Sequence, residues 1–251
     1  MKKTVTRCLS LATLIIASPI TFAADGFSSD VGLVSDYYFR ANHIDNATAF
    51  GSLDYNWSGL HAGLWTIYTP SPNVNDSAHD NGGFETHFNV GYGLQLSKEL
   101  TLAAGYTRYE YSYSRDFEQE ANVGIGYKGF ALDLAYGQDS NKGSFAGKTL
   151  NLNDASNDSY NYAFYALSWN GKIFGASIGG YNASDIGGHS WDLNERYTFL
   201  EVSAGTDVLG MEMRVTVGDK QSHSDEFTQL MNNKTDTDGY IFLSLKKTFA
   251  F

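Results

Sequence analysis

Cysteine is almost absent from this 251-residue chain, and the one present, Cys8, lies in an N-terminal stretch of unusual composition. Lys2, Lys3 and Arg7 are followed by an apolar run from Leu9 to Ile16, and Thr21-Phe22-Ala23 places small residues ahead of Ala24. This is the layout of a secretory leader, and its apolar run is shorter than the roughly 20 residues of a spanning helix. Cys8 precedes the apolar run instead of ending it, which argues against a lipid anchor. Residues 1–23 are therefore expected to be a cleaved signal peptide. Residues 24–251 would form one exported domain without a disulfide.

Basic residues are scarce as well, 17 against 28 acidic ones. The leader carries three of the 17 and none of the 28, leaving 14 against 28 and a formal charge of −14. Nucleic acid is an improbable partner for such a surface. Proline occurs only three times, and beyond the leader no apolar block approaches the length of a membrane helix. What is plentiful is aromatic: 17 Tyr, 16 Phe and 4 Trp, with 26 Gly. That balance suits a chain made mainly of strands.

Alternation supports this directly. In FETHFNVGYGLQL, the even positions are Phe84, Thr86, Phe88, Val90, Tyr92, Leu94 and Leu96, and the odd ones are polar or glycine. On a helix those apolar groups would scatter round the cylinder, whereas a strand puts them on one side. The last segment repeats the pattern, with Ile241, Leu243, Leu245, Phe249 and Phe251 on one face and Lys247 interrupting it. Near the start, Phe27, Val31, Leu33, Tyr37 and Phe39 form an apolar face opposite Asp30, Asp36 and Arg40. A polar loop at Asn42 to Asn46 then leads to strands 47–57 and 60–68, joined by Ser58-Gly59. Further strands read at 84–96, 100–113, 117–127, 130–136, 160–169, 172–181, 195–206, 211–218 and 239–251, giving twelve strands in six hairpins. Lys128-Gly129 and Asn170-Gly171 are two-residue turn signals.

The connections alternate between short turns and long polar linkers at 70–83, 138–159, 183–194 and 219–238, which is the layout of an outer-membrane barrel. A soluble sandwich also alternates, but the leader, the aromatic ends of the apolar faces and the final Phe251 favour the membrane. The expected fold is all-β, a transmembrane antiparallel up-and-down β-barrel of about 12 strands. A charge on the lipid face costs about 2 to 4 kcal/mol at the midplane, so Glu85, Glu118, Glu120, Asp133, Glu212 and Arg214 are expected to face the lumen.

The stretches VGLVSDYYFRA (Val31 to Ala41) and GSLDYNWSGLHAGLW (Gly51 to Trp65) resemble the opening of the TorF-type porin family of proteobacteria. That family has a similar Ser-Asp-Tyr-x-Phe-Arg, then Gly-x-x-Asp-Tyr and Gly-x-Trp. Ala41 stands where the family commonly has glycine, which implies a differently shaped first loop. The resemblance implies an outer-membrane pore with no catalytic residues and no established substrate. Phe251, Phe249, Leu245 and Leu243 likewise resemble the signal read by the outer-membrane barrel assembly machinery, with Lys247 snorkelling to the interface.

Twelve strands should enclose a narrow bore. The expected function is passive diffusion of small polar solutes, with outer-membrane lipid and lipopolysaccharide as surroundings. Selectivity candidates on the polar faces are Asp30, Asp36, Arg40, Asp54, Glu85, His87, Glu118, Glu120, Asp133, Glu201, Glu212, Arg214 and Lys246. Carboxylates outnumber bases there, so cations or neutral solutes should be preferred. The competing view of each charge is a structural ion pair across the lumen, above all for Arg40 and Arg214.

Two other functions compete with this one. A lipid hydrolase would need a nucleophile and a base on one side of a strand, but no His-x-Ser occurs. His43 and His223 have Asp45 and Asp225 two positions on, a spacing that an Asp-rich loop offers by chance. A plugged structural or binding barrel would use the long acidic loops: NLNDASND (Asn151 to Asp158) and TDTDG (Thr235 to Gly239) offer oxygen ligands without the spacing of a calcium loop. No cofactor and no metal centre is expected.

Overall fold

The computed structural model describes residues 25–70, 82–112, 117–140, 144–145, 148–149, 160–185, 196–222 and 239–251. The expected leader and most of the four long linkers, including Asn151 to Asp158 and Thr235 to Asp238, lie outside them.

Twelve strands close into one antiparallel barrel: β1 (Gly26–Phe39), β2 (Asn42–Trp57), β3 (Leu60–Thr69), β4 (Gly83–Gln95), β5 (Leu100–Tyr111), β6 (Phe117–Tyr127), β7 (Phe130–Asp139), β10 (Tyr160–Asn170), β11 (Phe174–Asp185), β12 (Arg196–Val208), β13 (Met211–Ser222) and β14 (Tyr240–Ala250). Two two-residue strands, β8 (Ser144–Phe145) and β9 (Lys148–Thr149), pair with each other between β7 and β10. Each barrel strand pairs with its chain neighbour. β1 meets β14 from Ser28↔Ala250 to Val34↔Ser244, and closure leaves no open edge in the wall.

Alternation sorts the side chains as the pleat requires. On β6, Ala121, Val123, Ile125 and Tyr127 are exposed outward, while Glu118, Glu120 and Asn122 turn inward. The outer wall carries exposed Leu33, Phe88, Val90, Leu134, Leu167, Ile178, Leu200 and Leu243, an apolar surface far larger than water tolerates. Exposed aromatics border it: Trp57, Tyr92, Tyr127, Phe130 and Trp169 near the short turns, and Tyr68, Phe84, Tyr106 and Tyr136 near the other end. These are the two girdles of a membrane barrel.

Short turns follow the expected chemistry. Ser58-Gly59 (φ 48° and 88°) and Lys128-Gly129 (φ 50° and 85°) have the paired positive φ of a type I′ hairpin. Leu209-Gly210 (φ 55° and 72°) makes a third. Lys247 donates to the Gly210 carbonyl at 2.6 Å, so this outward lysine is tied to a turn at the rim.

Three expectations are corrected. The β10–β11 connection is Gly171 to Ile173, because Asn170 still pairs with Gly175 and the Gly171 amide donates to the Phe174 carbonyl at 2.9 Å. The β1–β2 turn is Arg40-Ala41, and Asn42 to Asn46 belong to β2. Tyr37 and Phe39 do not continue the outward face of β1, because β1 leaves β14 at Val34 and β2 joins β3 only from Phe50, and this end of the hairpin turns into the bore.

Candidate functional site: the lumen and its inserted hairpin

β1 leaves β14 at Val34, and β2 joins β3 only from Phe50. Residues 35–49 are therefore paired only with each other, and this free hairpin end folds into the bore. Tyr38 stacks on Tyr240 (centroids 4.4 Å apart) and on Phe242 (5.6 Å) of β14. Phe39 meets His87 of β4 (5.9 Å) and Tyr109 of β5 (5.5 Å). Tyr37 donates to Glu85 Oε1 at 2.9 Å. At the tip, Tyr197 of β12 donates to the Arg40 carbonyl at 2.7 Å, Asn42 donates to the Tyr197 hydroxyl at 3.0 Å, and Lys220 of β13 donates to Asn42 Oδ1 at 3.0 Å.

Arg40 ends this insertion. Its Nη2 donates to Glu120 Oε2 of β6, and its guanidinium lies over the rings of Phe39 (4.9 Å), Tyr162 (5.1 Å) and Phe164 (4.6 Å). Arg40 is 2% exposed and Glu120 1%. Burial alone would lower the pKa of this turn residue; Glu120, Tyr109 and Tyr162 outweigh it and push the pKa further up, so Arg40 stays charged. Among the described residues, Arg40 Nε and Nη1 find no acceptor.

Three buried carboxylates of the inner wall, and the half-buried Glu118, are held by hydroxyl donors. Glu120 accepts from Tyr109 (2.8 Å) and Tyr162 (3.0 Å) besides Arg40. Glu201 accepts from Tyr240 (2.5 Å) and Ser177 (3.0 Å). Glu85 bonds His87 Nε2 at 2.6 Å besides Tyr37. Glu118 accepts from Tyr111 at 2.8 Å.

Nearer the short turns a second polar network lines the bore. Lys246 stands 3.5 Å from Asp30 and 3.8 Å from Glu212; Glu212 pairs with Arg214 at 3.0 Å, and Arg214 Nη1 donates to Ser203 at 3.0 Å. Asp54 accepts from Ser52 at 2.9 Å and lies 3.6 Å from His61, whose ring nitrogens also bond Asn56 and Asn89. Asp133 is 8% exposed, and its Oδ2 has no hydrogen-bond partner among the described residues.

Of the residues singled out from sequence, Asp30, Asp54, Glu85, His87, Glu118, Glu120, Asp133, Glu201, Glu212, Arg214 and Lys246 lie on the inner face of the wall. Asp36 and Arg40 lie on the inserted hairpin instead, Asp36 beside His43 at 3.8 Å. Both arginines are engaged in ion pairs, Arg40 with Glu120 of the facing wall and Arg214 with Glu212 of its own strand. Sequence reading missed the inward tyrosines at 37, 109, 162, 197 and 240. Only Tyr197 shares its strand face with a carboxylate, Glu201, so the sequence held little signal for the others. It also missed Arg108 and Glu110, which pair at 2.5 Å on the outer face, with Arg108 over the Phe117 ring at 4.0 Å. No group of three or more potential metal ligands occurs among the described residues.

No protein-family model matches the sequence, and no curated protein matches it. Solved structures do match in shape. A chain from a study of in-meso crystallization of membrane proteins has a TM-score of 0.54 at 10% identity, with 90% of this chain and 83% of that chain covered. The NanC porin has a TM-score of 0.49 at 10% identity, with 90% and 100% covered. OccAB3 of Acinetobacter baumannii has 0.44 at 11% identity, and this chain covers 60% of its length with 88% of its own. At such identities the likeness is one of fold. The closed wall and the apolar belt make the chain a transmembrane-type β-barrel, and the likeness at a TM-score of 0.54 agrees with that fold.

Proposed function

We propose that the protein is an outer-membrane channel for passive diffusion of small polar solutes, narrow and cation-preferring. The observation that carries this reading is a closed twelve-strand wall whose inner face is polar and rich in carboxylates. Glu85, Glu118, Glu120, Asp133, Glu201, Asp30, Asp54 and Glu212 set a negative potential along the bore against Arg40, Arg214 and Lys246, and such rings of charge sort permeating ions. The resemblance of Ser35-Asp36-Tyr37 and Phe39-Arg40 to TorF-type porins agrees with it. On this reading residues 1–23 are removed on export, and lipopolysaccharide surrounds the outer rim. The outward Phe249, Leu245 and Leu243, with Phe251, serve the barrel assembly machinery.

The inserted hairpin favours a second reading, a plugged structural or binding barrel. The obstruction would then be the hairpin end at residues 35–49; the acidic loops that the sequence singled out lie outside the described residues.

Single-channel current across a planar bilayer under a potassium chloride gradient tests the proposal. Discrete steps with a cation-biased reversal potential are expected. An anion-biased potential overturns the selectivity, and silence from protein shown to be folded by heat-modifiable migration overturns the channel.

A further inference from the structure

Glu120 of the wall takes Arg40 of the inserted hairpin in an ion pair. Its carboxylate is fully enclosed, and Tyr109 and Tyr162 hold it from two sides. Phe164 and Tyr162 offer ring faces at 4.6 and 5.1 Å from the Arg40 guanidinium carbon. A carboxylate with aromatic faces beside it is the environment in which a planar, delocalised cation is best held. All four residues belong to the wall, on β5, β6 and β10. These wall residues stand without the hairpin, which supplies the occupant and one further ring, Phe39, at 4.9 Å from the Arg40 guanidinium carbon.

The occupant fits incompletely. Only Nη2 of Arg40 donates to Glu120, while Nε and Nη1, both buried, have no acceptor among the described residues. The turn that presents it is strained, since Arg40 and Ala41 hold φ of 52° and 63° without a glycine. A free cation has no such tether and can turn to satisfy more of its donors.

We propose that Glu120, Tyr109, Tyr162 and Phe164 form a binding site for a guanidinium-type solute on the permeation path, and that Arg40 fills it as the chain's own stand-in, so that such a solute displaces the hairpin and widens the bore. The displacement rests on the channel reading above; the binding site does not. A tethered group competes at an effective concentration on the order of millimolar or more, so a free cation at about 50 mM acts on the wild type by mass action. Truncating Arg40 removes the competitor.

The test uses methylguanidinium as the probe and urea, its neutral isostere, as the control. Calorimetry on refolded Arg40→Ala is expected to show saturable binding with an apparent affinity about tenfold or more above wild type, no binding of urea, and loss of binding when Glu120→Gln is added. No saturable binding to folded Arg40→Ala, or binding that Glu120→Gln leaves unchanged, overturns the site. In bilayers, wild-type mean current is expected to rise about threefold with about 50 mM methylguanidinium relative to sodium at equal ionic strength. An unchanged current overturns the displacement. The wild-type current needs no variant and decides the displacement; where Arg40→Ala does not refold, Arg40→Lys takes its place in calorimetry and decides the site by the same two outcomes. A barrel silent in every form while calorimetry shows binding overturns the channel and upholds the site.

Discussion

Tyr162 of β10 lies across Gly137 of β7, its pairing partner, so closely that a Cβ at position 137 would stand 2.3 Å from the tyrosine Cζ and 2.5 Å from its hydroxyl. The glycine lets the ring lie against the wall and aim its hydroxyl at Glu120. Gly137→Ala must push the ring away and break that hydrogen bond. A loss of about 1 to 3 kcal/mol is expected in urea unfolding followed by tryptophan fluorescence. Gly51→Ala, whose nearest neighbour is the Asp30 carbonyl oxygen at 3.6 Å, should stay within about 0.5 kcal/mol.

Ala41 takes a left-handed φ of 63°, where a Cβ is a cost and glycine bears none. Ala41→Gly should therefore stabilise the barrel by about 1 kcal/mol, read as a higher urea midpoint at unchanged slope. A lower midpoint would mean that burial of the methyl group outweighs the strain.

The membrane belt is tested by two neighbours on β6. Val123 is 50% exposed on the outer face, and Asn122 faces the bore and donates to Thr107 at 3.2 Å. Val123→Lys should cost about 2 to 4 kcal/mol when the protein refolds into lipid vesicles, and Asn122→Lys should cost distinctly less. Equal costs would count against a lipid-facing wall.

Asp133 leaves one carboxylate oxygen buried and without a partner among the described residues. An amide there has no charge to desolvate, so Asp133→Asn should be neutral or stabilise by roughly 1 kcal/mol. On the channel reading it also moves the reversal potential toward zero. Strong destabilisation would show that the charge has a partner in the folded protein.

The strands of the wall were legible because lipid penalises a misplaced charge. Glu85, Glu118, Glu120 and Asp133 occur at positions that alternate with Phe84, Phe88, Val123 and Leu134, and only one register satisfies both sets. The β1–β2 hairpin was not legible in this way. Tyr37, Phe39 and Arg40 continue the alternation of β1 without a break in the sequence, and nothing local marks that β1 leaves β14 at Val34 so that this end enters the bore. Asn170-Gly171 misled for a related reason: a strong turn dipeptide was overridden by pairing that carries Asn170 into the sheet opposite Gly175.

The sequence by itself determined the number of barrel strands, the two faces of each wall strand and the carboxylate-rich character of the bore. These follow from the two-residue repeat of a pleated backbone and from the cost of charge in lipid, both of which act on near neighbours in the chain. Only the tertiary structure decided what stands opposite what. Arg40 and Glu120 are 80 residues apart, and Tyr197 reaches the Arg40 carbonyl from 157 residues away. Alternation says that a side chain points inward; closure of the barrel, and the folding of one strained hairpin into it, chose its partner.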